Sequence, residues 1–84
     1  MISCQVSLYP LGADDYADIV NEVLERLKYH QVEYKIGTMS TVLCGKEEDV
    51  WSAVQDMFHT ARQIHQQSIL TVTFSDCCGC SKVD

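Results

Sequence analysis

Hydrophobic and polar residues alternate along the first segment of the chain, ISCQVSLYPLG. A period of two is typical of a β-strand that has one face on a core and one face away from it. The same alternation recurs three more times along the sequence. The predicted strands are Ile2–Tyr9, Val32–Ile36, Ser40–Cys44 and Ser68–Ser75.

Two segments between these strands place apolar residues three and four positions apart, as in an amphipathic helix. The first helix is predicted to follow the break at Pro10-Leu11-Gly12, to begin at Asp14 or Asp15, and to end near His30. The second helix is predicted to begin in GKEEDVW, directly after the third strand. Its acidic first turn suits the positive end of a helix dipole.

The resulting order of elements is β-α-β-β-α-β. Two right-handed crossovers of this kind predict an α+β fold, the ferredoxin-like βαββαβ sandwich, with a four-stranded antiparallel sheet and two helices on one face. The first and third strands are then central, and the second and fourth lie at the edges. The charges of Glu33 and Lys35 on the second strand suit an edge position.

The period of two also assigns each strand residue to a face of the sheet. The side chains predicted to face the helices are those of Ile2, Cys4, Val6, Leu8, Val42, Cys44, Leu70, Val72 and Phe74. Those predicted to face away are Ser3, Gln5, Ser7, Thr41, Leu43, Thr71, Thr73 and Ser75.

The face turned away from the helices has no charged residue on the first, third and fourth strands. One explanation is that serine and threonine there simply suit a solvated strand. The other is that a second subunit or a ligand covers this face, because a buried charge would be costly whereas hydroxyls and an amide can be satisfied by hydrogen bonds. We favour a covered face.

The composition narrows the possible partners. The chain has 84 residues, 12 acidic and six basic, with a net charge of −6. This balance argues against nucleic-acid binding, which depends on lysine and arginine at phosphates. The sequence has no apolar run of the roughly 18 residues that span a membrane, and no secretory signal pattern. We therefore expect a cytoplasmic protein with one domain over residues 1–76.

Three segments resemble the YkoF-like thiamine/hydroxymethylpyrimidine-binding proteins: ISCQVSLYPLG, GTMST (37–41) and the strand that ends in VTFSD. The resemblance covers nearly the whole chain and implies a ferredoxin-like fold. It also implies association through the sheets and a role in thiamine uptake or salvage rather than catalysis, without a cofactor. Because some members contain two such domains, a single-domain chain is expected to form a homodimer or homotetramer through the sheet face.

The resemblance also implies a set of ligand-binding residues. An aminopyrimidine presents donor and acceptor atoms that an amide or hydroxyls can match, and its flat ring needs an aromatic or apolar wall. The expected ligand-binding residues are Gln5, Ser7, Tyr9, Thr38, Met39, Ser40 and Thr41. Gln5 could equally pair with its symmetry mate in a dimer.

The C-terminal segment 77–84 follows Asp76 and has the sequence CCGCSKVD. It departs from the family pattern and is expected to be a flexible tail. Cys77, Cys78 and Cys80 supply three thiols, which are soft ligands for copper(I) or zinc, although structural zinc requires a fourth ligand. A metal-binding or thiol-redox module is therefore one alternative function, and a purely structural oligomerisation domain is another. The sequence shows no catalytic motif, so we predict non-enzymatic binding of thiamine or its hydroxymethylpyrimidine precursor.

Overall fold

The computed structural model describes residues 1–37 and 40–76, which form four strands, two α-helices and one 3₁₀ helix. The strands form one antiparallel sheet in the order β2-β3-β1-β4, with both helices on one side. This is the predicted ferredoxin-like fold, and β1 and β3 are central as expected. The elements are β1 Ile2–Pro10, α1 Tyr16–Leu24, the 3₁₀ helix Glu25–Tyr29, β2 Val32–Ile36, β3 Thr41–Gly45, α2 Glu47–Ile64 and β4 Ser68–Ser75.

The core lies between the sheet and the two helices. Alternate residues of β1 enter it from the sheet, and one stripe of each helix closes it from the other side. Each large side chain that is completely buried there contributes about 1.5–3 kcal/mol relative to an exposed position. The largest of these are Leu27, Leu43, Met57, Val23 and Val50.

The register of β3 corrects one prediction. Cys4 is opposite Leu43, and Val6 is opposite Thr41, so Leu43 and Thr41 face the helices. Val42 and Cys44 therefore lie on the other side of the sheet, the reverse of the assignment from the period of two. The faces of β1 and β4 are as predicted, since Val6 is opposite Val72.

We call the side of the sheet turned away from the helices the open face. It is formed by Ser3, Gln5, Ser7, Tyr9, Val42, Cys44, Ile69, Thr71, Thr73 and Ser75, together with Glu33 and Lys35 of the edge strand β2.

The first helix is shorter than predicted, because its last turns tighten into the 3₁₀ helix. Asp56 of α2 holds this segment in place. Its Oδ2 atom accepts a hydrogen bond from Nε of Arg26 at 3.0 Å and lies 2.8 Å from Nε2 of His30. Thr60 donates to the other carboxylate oxygen at 3.3 Å. His30, predicted to interact with the helix dipole, thus pairs with a carboxylate on the neighbouring helix.

No helix among the described residues is both long enough and apolar enough to cross a membrane.

Candidate functional site

The central strand β1 has two neighbours along only part of its length. Its pairing with β4 continues to Pro10, which is opposite Ser68. Its pairing with β3 stops at Val6, which is opposite Thr41. Beyond that pair no described residue of β3 lies beside β1, and we call this opening in the described part of the sheet the notch.

The notch contains a cavity of about 300 Å³, which we call the notch cavity. Helix α1 forms one wall, the end of β2 forms another, and core residues form its floor. This volume is at the lower end of the range that is usual for small-molecule sites, about 300–1,000 Å³. Its lining residues are Val6, Ser7, Leu8, Tyr9, Tyr16, Val20, Asn21, Val23, Leu24, Ile36, Gly37, Ser40, Thr41 and Met57.

Thr41 is the only buried polar residue among those described, at 4% exposure. The residue lines the notch cavity. Because a hydroxyl can both donate and accept hydrogen bonds, Thr41 is a candidate contact for a polar ligand in the cavity.

Two tyrosines stand at the rim of the notch cavity. Tyr16, in the first turn of α1, donates its hydroxyl to the carbonyl oxygen of Leu8 at 3.2 Å. Leu8 has no counterpart on β3, so Tyr16 satisfies a strand carbonyl beyond the reach of that strand. Tyr9 is 43% exposed and Ile36 is 55% exposed. The rim is therefore aromatic and apolar, which suits a flat ring.

The turn between β2 and β3 places Ser40 at the cavity. The amide N–H of Gly37 donates to the carbonyl oxygen of Ser40 at 2.8 Å. A Cβ atom at residue 37 would lie only 2.9 Å from that oxygen, so the close approach requires glycine. On the open face, Nε2 of Gln5 donates to Oγ of Ser40 at 3.0 Å. Gln5 thereby orients the serine hydroxyl.

The described lining of the notch cavity contains no aspartate, glutamate, lysine, arginine or histidine. Its polar groups are hydroxyls, the Asn21 amide and the backbone. Such a site can donate and accept hydrogen bonds, and its aromatic rim can attract an organic cation. It offers no counter-charge for a phosphate.

The structure brings four of the seven predicted binding residues to this cavity, namely Ser7, Tyr9, Ser40 and Thr41. Gln5 does not line it but contacts Ser40. Thr38 and Met39 lie outside the described residues. Thr41 reaches the cavity from the helix side of β3, whereas the sequence placed it on the open face.

Sequence reasoning missed the contribution of α1. Tyr16, Val20 and Leu24 are four residues apart and form a second row beside the buried stripe of this helix, next to Asn21. The sequence did contain a signal for this row. Apolar residues cover a wider part of the α1 surface than is needed to contact the core alone. Val20 and Leu24 pack against the core and also line the cavity.

The cysteines occupy different environments. Cys4 is a free thiol in the core, and burial raises its pKa to about 11. Within residues 1–37 and 40–76 no group of three or more histidine, cysteine or acidic side chains is arranged to hold a metal ion. Cys77, Cys78 and Cys80, the candidate metal ligands, lie outside the described residues.

The fold and the notch cavity define a ferredoxin-like domain with a small uncharged site at one end of its sheet. The model of the YKOF-related family matches residues 1–81, and the chain belongs to that family. No protein among curated sequences matches it.

Solved structures share the fold at low sequence identity. A Streptococcus pneumoniae protein superposes with a TM-score of 0.87 at 17% identity, covering 98% of this chain and 96% of that one. A Thermotoga maritima protein, provisionally assigned to thiamine biosynthesis or salvage, gives 0.82 at 15% identity over 98% and 94% of the two chains. A hypothetical protein of Methanocaldococcus jannaschii gives 0.82 at 20% identity over 89% and 78%.

Proposed function

We propose that this protein binds thiamine or its hydroxymethylpyrimidine precursor in the notch cavity, without catalysis, in support of thiamine uptake or salvage. The observation that carries the proposal is the small cavity itself, whose described lining is uncharged and combines the hydroxyl-bearing Thr41 with the aromatic side chains of Tyr9 and Tyr16. Membership of the YKOF-related family and the assignment of the Thermotoga maritima structure support a thiamine-related role.

The chemistry of the cavity matches an aminopyrimidine. The ring presents an exocyclic amine as donor and ring nitrogens as acceptors, and Thr41 and Ser40 can each donate or accept. Tyr9 and Tyr16 at the rim provide faces on which a flat ring can stack. For intact thiamine, the same faces would attract the thiazolium cation by about 0.5–2 kcal/mol.

The absence of charge in the described lining predicts selectivity among thiamine forms. A diphosphate would need arginine, lysine or a helix N-terminus to replace its hydration. The protein's net charge of −6 would further oppose an anion. We therefore expect unphosphorylated ligands to bind in preference to thiamine diphosphate.

The open face supports the proposal that the protein acts as a homo-oligomer. On β1, β3 and β4 this face presents only hydroxyls, an amide, sulfur and apolar groups. Val42 and Ile69 are 37% and 48% exposed, respectively, on the isolated chain. A second copy packed on this face would bury apolar surface without desolvating any charge of these three strands.

Titration calorimetry tests the ligand assignment directly. We expect saturable binding of hydroxymethylpyrimidine or thiamine, much weaker binding of thiamine diphosphate, and recovery of the ligand chemically unchanged. Thr41→Val should weaken binding roughly three- to tenfold, since it removes one hydrogen bond worth about 0.5–1.5 kcal/mol.

Thr73→Val is the matched control, because it makes the same chemical change on the open face, away from the cavity. It should leave affinity unchanged. The proposal fails if neither ligand binds, or if the control variant weakens binding as much as Thr41→Val does.

A further inference from the structure

The two edge strands of the sheet differ in how far the helices cover them. On β4, the helix-side residues Leu70 and Val72 are partly buried against the core. On β2, the helix-side residues Tyr34 and Ile36 are 42% and 55% exposed, respectively. A cavity of about 310 Å³ is lined by these two residues and by α1. The helices therefore leave apolar surface uncovered along the β2 edge.

The register with β3 assigns the residues of β2 to two faces. Tyr34 is opposite Leu43, so the even-numbered residues of β2 lie on the helix side. The odd-numbered residues, Glu33 and Lys35, lie on the open face and are exposed. Among the described strands β2 pairs only with β3. Its outer edge therefore has the position from which an edge strand can pair with a strand of another chain.

The charges of β2 match a second copy of the same strand. Two antiparallel copies related by a two-fold axis at Tyr34 would place Glu33 of each copy opposite Lys35 of the other. Val32 would then be opposite Ile36, and Tyr34 would be opposite its own copy. Every opposed pair is thus either apolar or of opposite charge, and such pairs stabilise antiparallel strands.

The same charges disfavour the neighbouring symmetric registers. A two-fold axis at Glu33 would place two glutamates directly opposite each other, and an axis at Lys35 would do the same with two lysines. Like charges directly opposite one another are destabilising. The other edge strand, β4, has the sequence SILTVTFS, in which no charge can select a register in this way. The charge pattern therefore favours β2 and one register of pairing.

We propose that β2 pairs antiparallel with β2 of a second copy of this chain, with the two-fold axis at Tyr34, so that two sheets join into one of eight strands. The same patch is used on both copies, and the assembly closes as a dimer. This edge interface differs from packing on the open face, because Tyr34 lies on the helix side. It shares only Ile36 with the described lining of the notch cavity, so it does not depend on the proposed ligand.

Cross-linking at the two-fold axis tests the register directly. Directly opposed residues of antiparallel strands have Cα atoms about 4.5–5.5 Å apart, and a disulfide needs about 4.4–6.8 Å. The full-length variant Tyr34→Cys is mildly oxidised, its remaining thiols are alkylated, and it is digested with trypsin without reduction. Peptide 29–35 then contains the introduced cysteine and no other. We expect two copies of this peptide to be joined to each other.

Tyr29→Cys is the matched control for the cross-link. Position 29 belongs to the same tryptic peptide and is more exposed than Tyr34, at 66%. It precedes the first residue of β2 by three positions, so its two copies would lie at opposite ends of the paired strands. This variant should give little joined peptide. The proposal is overturned if Tyr34→Cys gives no joined peptide, or if Tyr29→Cys gives as much.

Charge reversal tests the same interface without a cross-link. Glu33→Lys and Lys35→Glu each convert both opposite-charge pairs of the dimer into like-charge pairs, and should raise its dissociation constant roughly tenfold or more. The double variant exchanges the two charges, restores the opposite pairs and should dimerise like the wild type. Sedimentation velocity at about 0.15 M salt measures all four proteins.

The outcomes separate the edge interface from other arrangements. A wild-type protein that is monomeric at every concentration would overturn the proposal. A dimer that neither single reversal weakens would show that the copies meet elsewhere, on the open face or along β4. Single reversals that weaken the dimer without rescue in the double variant would show that Glu33 and Lys35 are not opposite each other.

Discussion

The two halves of β1 show how one strand can serve stability at one end and binding at the other. Residues 2–6 are paired on both sides, by β3 and by β4. Residues 7–10 pair with β4, beyond the point where the described pairing with β3 stops, and residues 7–9 line the notch cavity. The doubly paired half lies beside Leu43, which is completely buried, whereas the notch half is bordered by the exposed tyrosines Tyr9 and Tyr16.

Within the described residues, the difference arises because the ladder between β1 and β3 stops at Val6, whereas the ladder between β1 and β4 continues to Pro10. The doubly paired half of the sheet supplies the rigidity that keeps the opening in place.

The largest effect should come from matched truncations in the two halves. Leu43→Ala removes a completely buried side chain opposite Cys4 and should lower the free energy of unfolding by about 3 kcal/mol. Leu24→Ala removes the same group from a partly buried position at the cavity wall. It should cost about 1–2 kcal/mol, because fewer neighbours lose contacts. Urea denaturation of both variants measures the contrast, and equal costs would show that the two halves are packed alike.

A smaller effect is expected from removing the Asp56 carboxylate, which contacts the 3₁₀ helix and the residue that follows it. Asp56→Asn removes the carboxylate that Arg26 and His30 contact, and should cost about 1–2 kcal/mol near neutral pH. Burial alone would raise the pKa of the Asp56 carboxyl, but hydrogen bonds from His30 and Arg26 outweigh it and lower the pKa below its usual 3.8.

A lowered pKa means that this stabilisation is complete above about pH 4 and is lost as the pH falls through the value in the folded protein. The difference in melting temperature between wild type and Asp56→Asn should therefore be largest at neutral pH and should shrink in acid. A difference that stayed constant down to pH 2 would show that the carboxylate charge is not what stabilises the segment.

The smallest effect on stability, and the only favourable one, is expected at the notch. Thr41→Val replaces the hydroxyl of a buried residue at the cavity with a methyl group of similar size. Without ligand, this variant should be as stable as wild type or more stable by up to about 1 kcal/mol. Thermal unfolding without and with hydroxymethylpyrimidine should show that the ligand stabilises the wild type more. A clear loss of stability in the free variant would indicate that the hydroxyl already serves the fold.

The elements with a strong pattern could be predicted from the sequence. β2 and β4 have the predicted bounds, and β1 is longer by one residue, because their alternation leaves one plausible phase. β3 has only five residues, and both of its phases contain apolar side chains. The pattern of β3 allows either Leu43 and Thr41 or Val42 and Cys44 to face the helices. The register of pairing with β1 determines that Leu43 and Thr41 do so.

The cavity could be predicted only in part. Ser7, Tyr9, Ser40 and Thr41 belong to segments that the family resemblance identified, and all four line it. The notch itself depends on where two ladders end, which no local pattern encodes. The 3₁₀ turn after α1 likewise depends on Asp56, which is 30 residues from Arg26 in sequence.

Trp51 gives the protein a built-in optical reporter. Its indole is the only one in the chain and stacks on Phe74, with ring centroids 4.2 Å apart. Because Phe74 lies near the end of β4, tryptophan emission depends on whether that end stays docked against α2. The fluorescence of the unlabelled protein can therefore follow events at this edge while remaining distant from the cavity at the other end of β1.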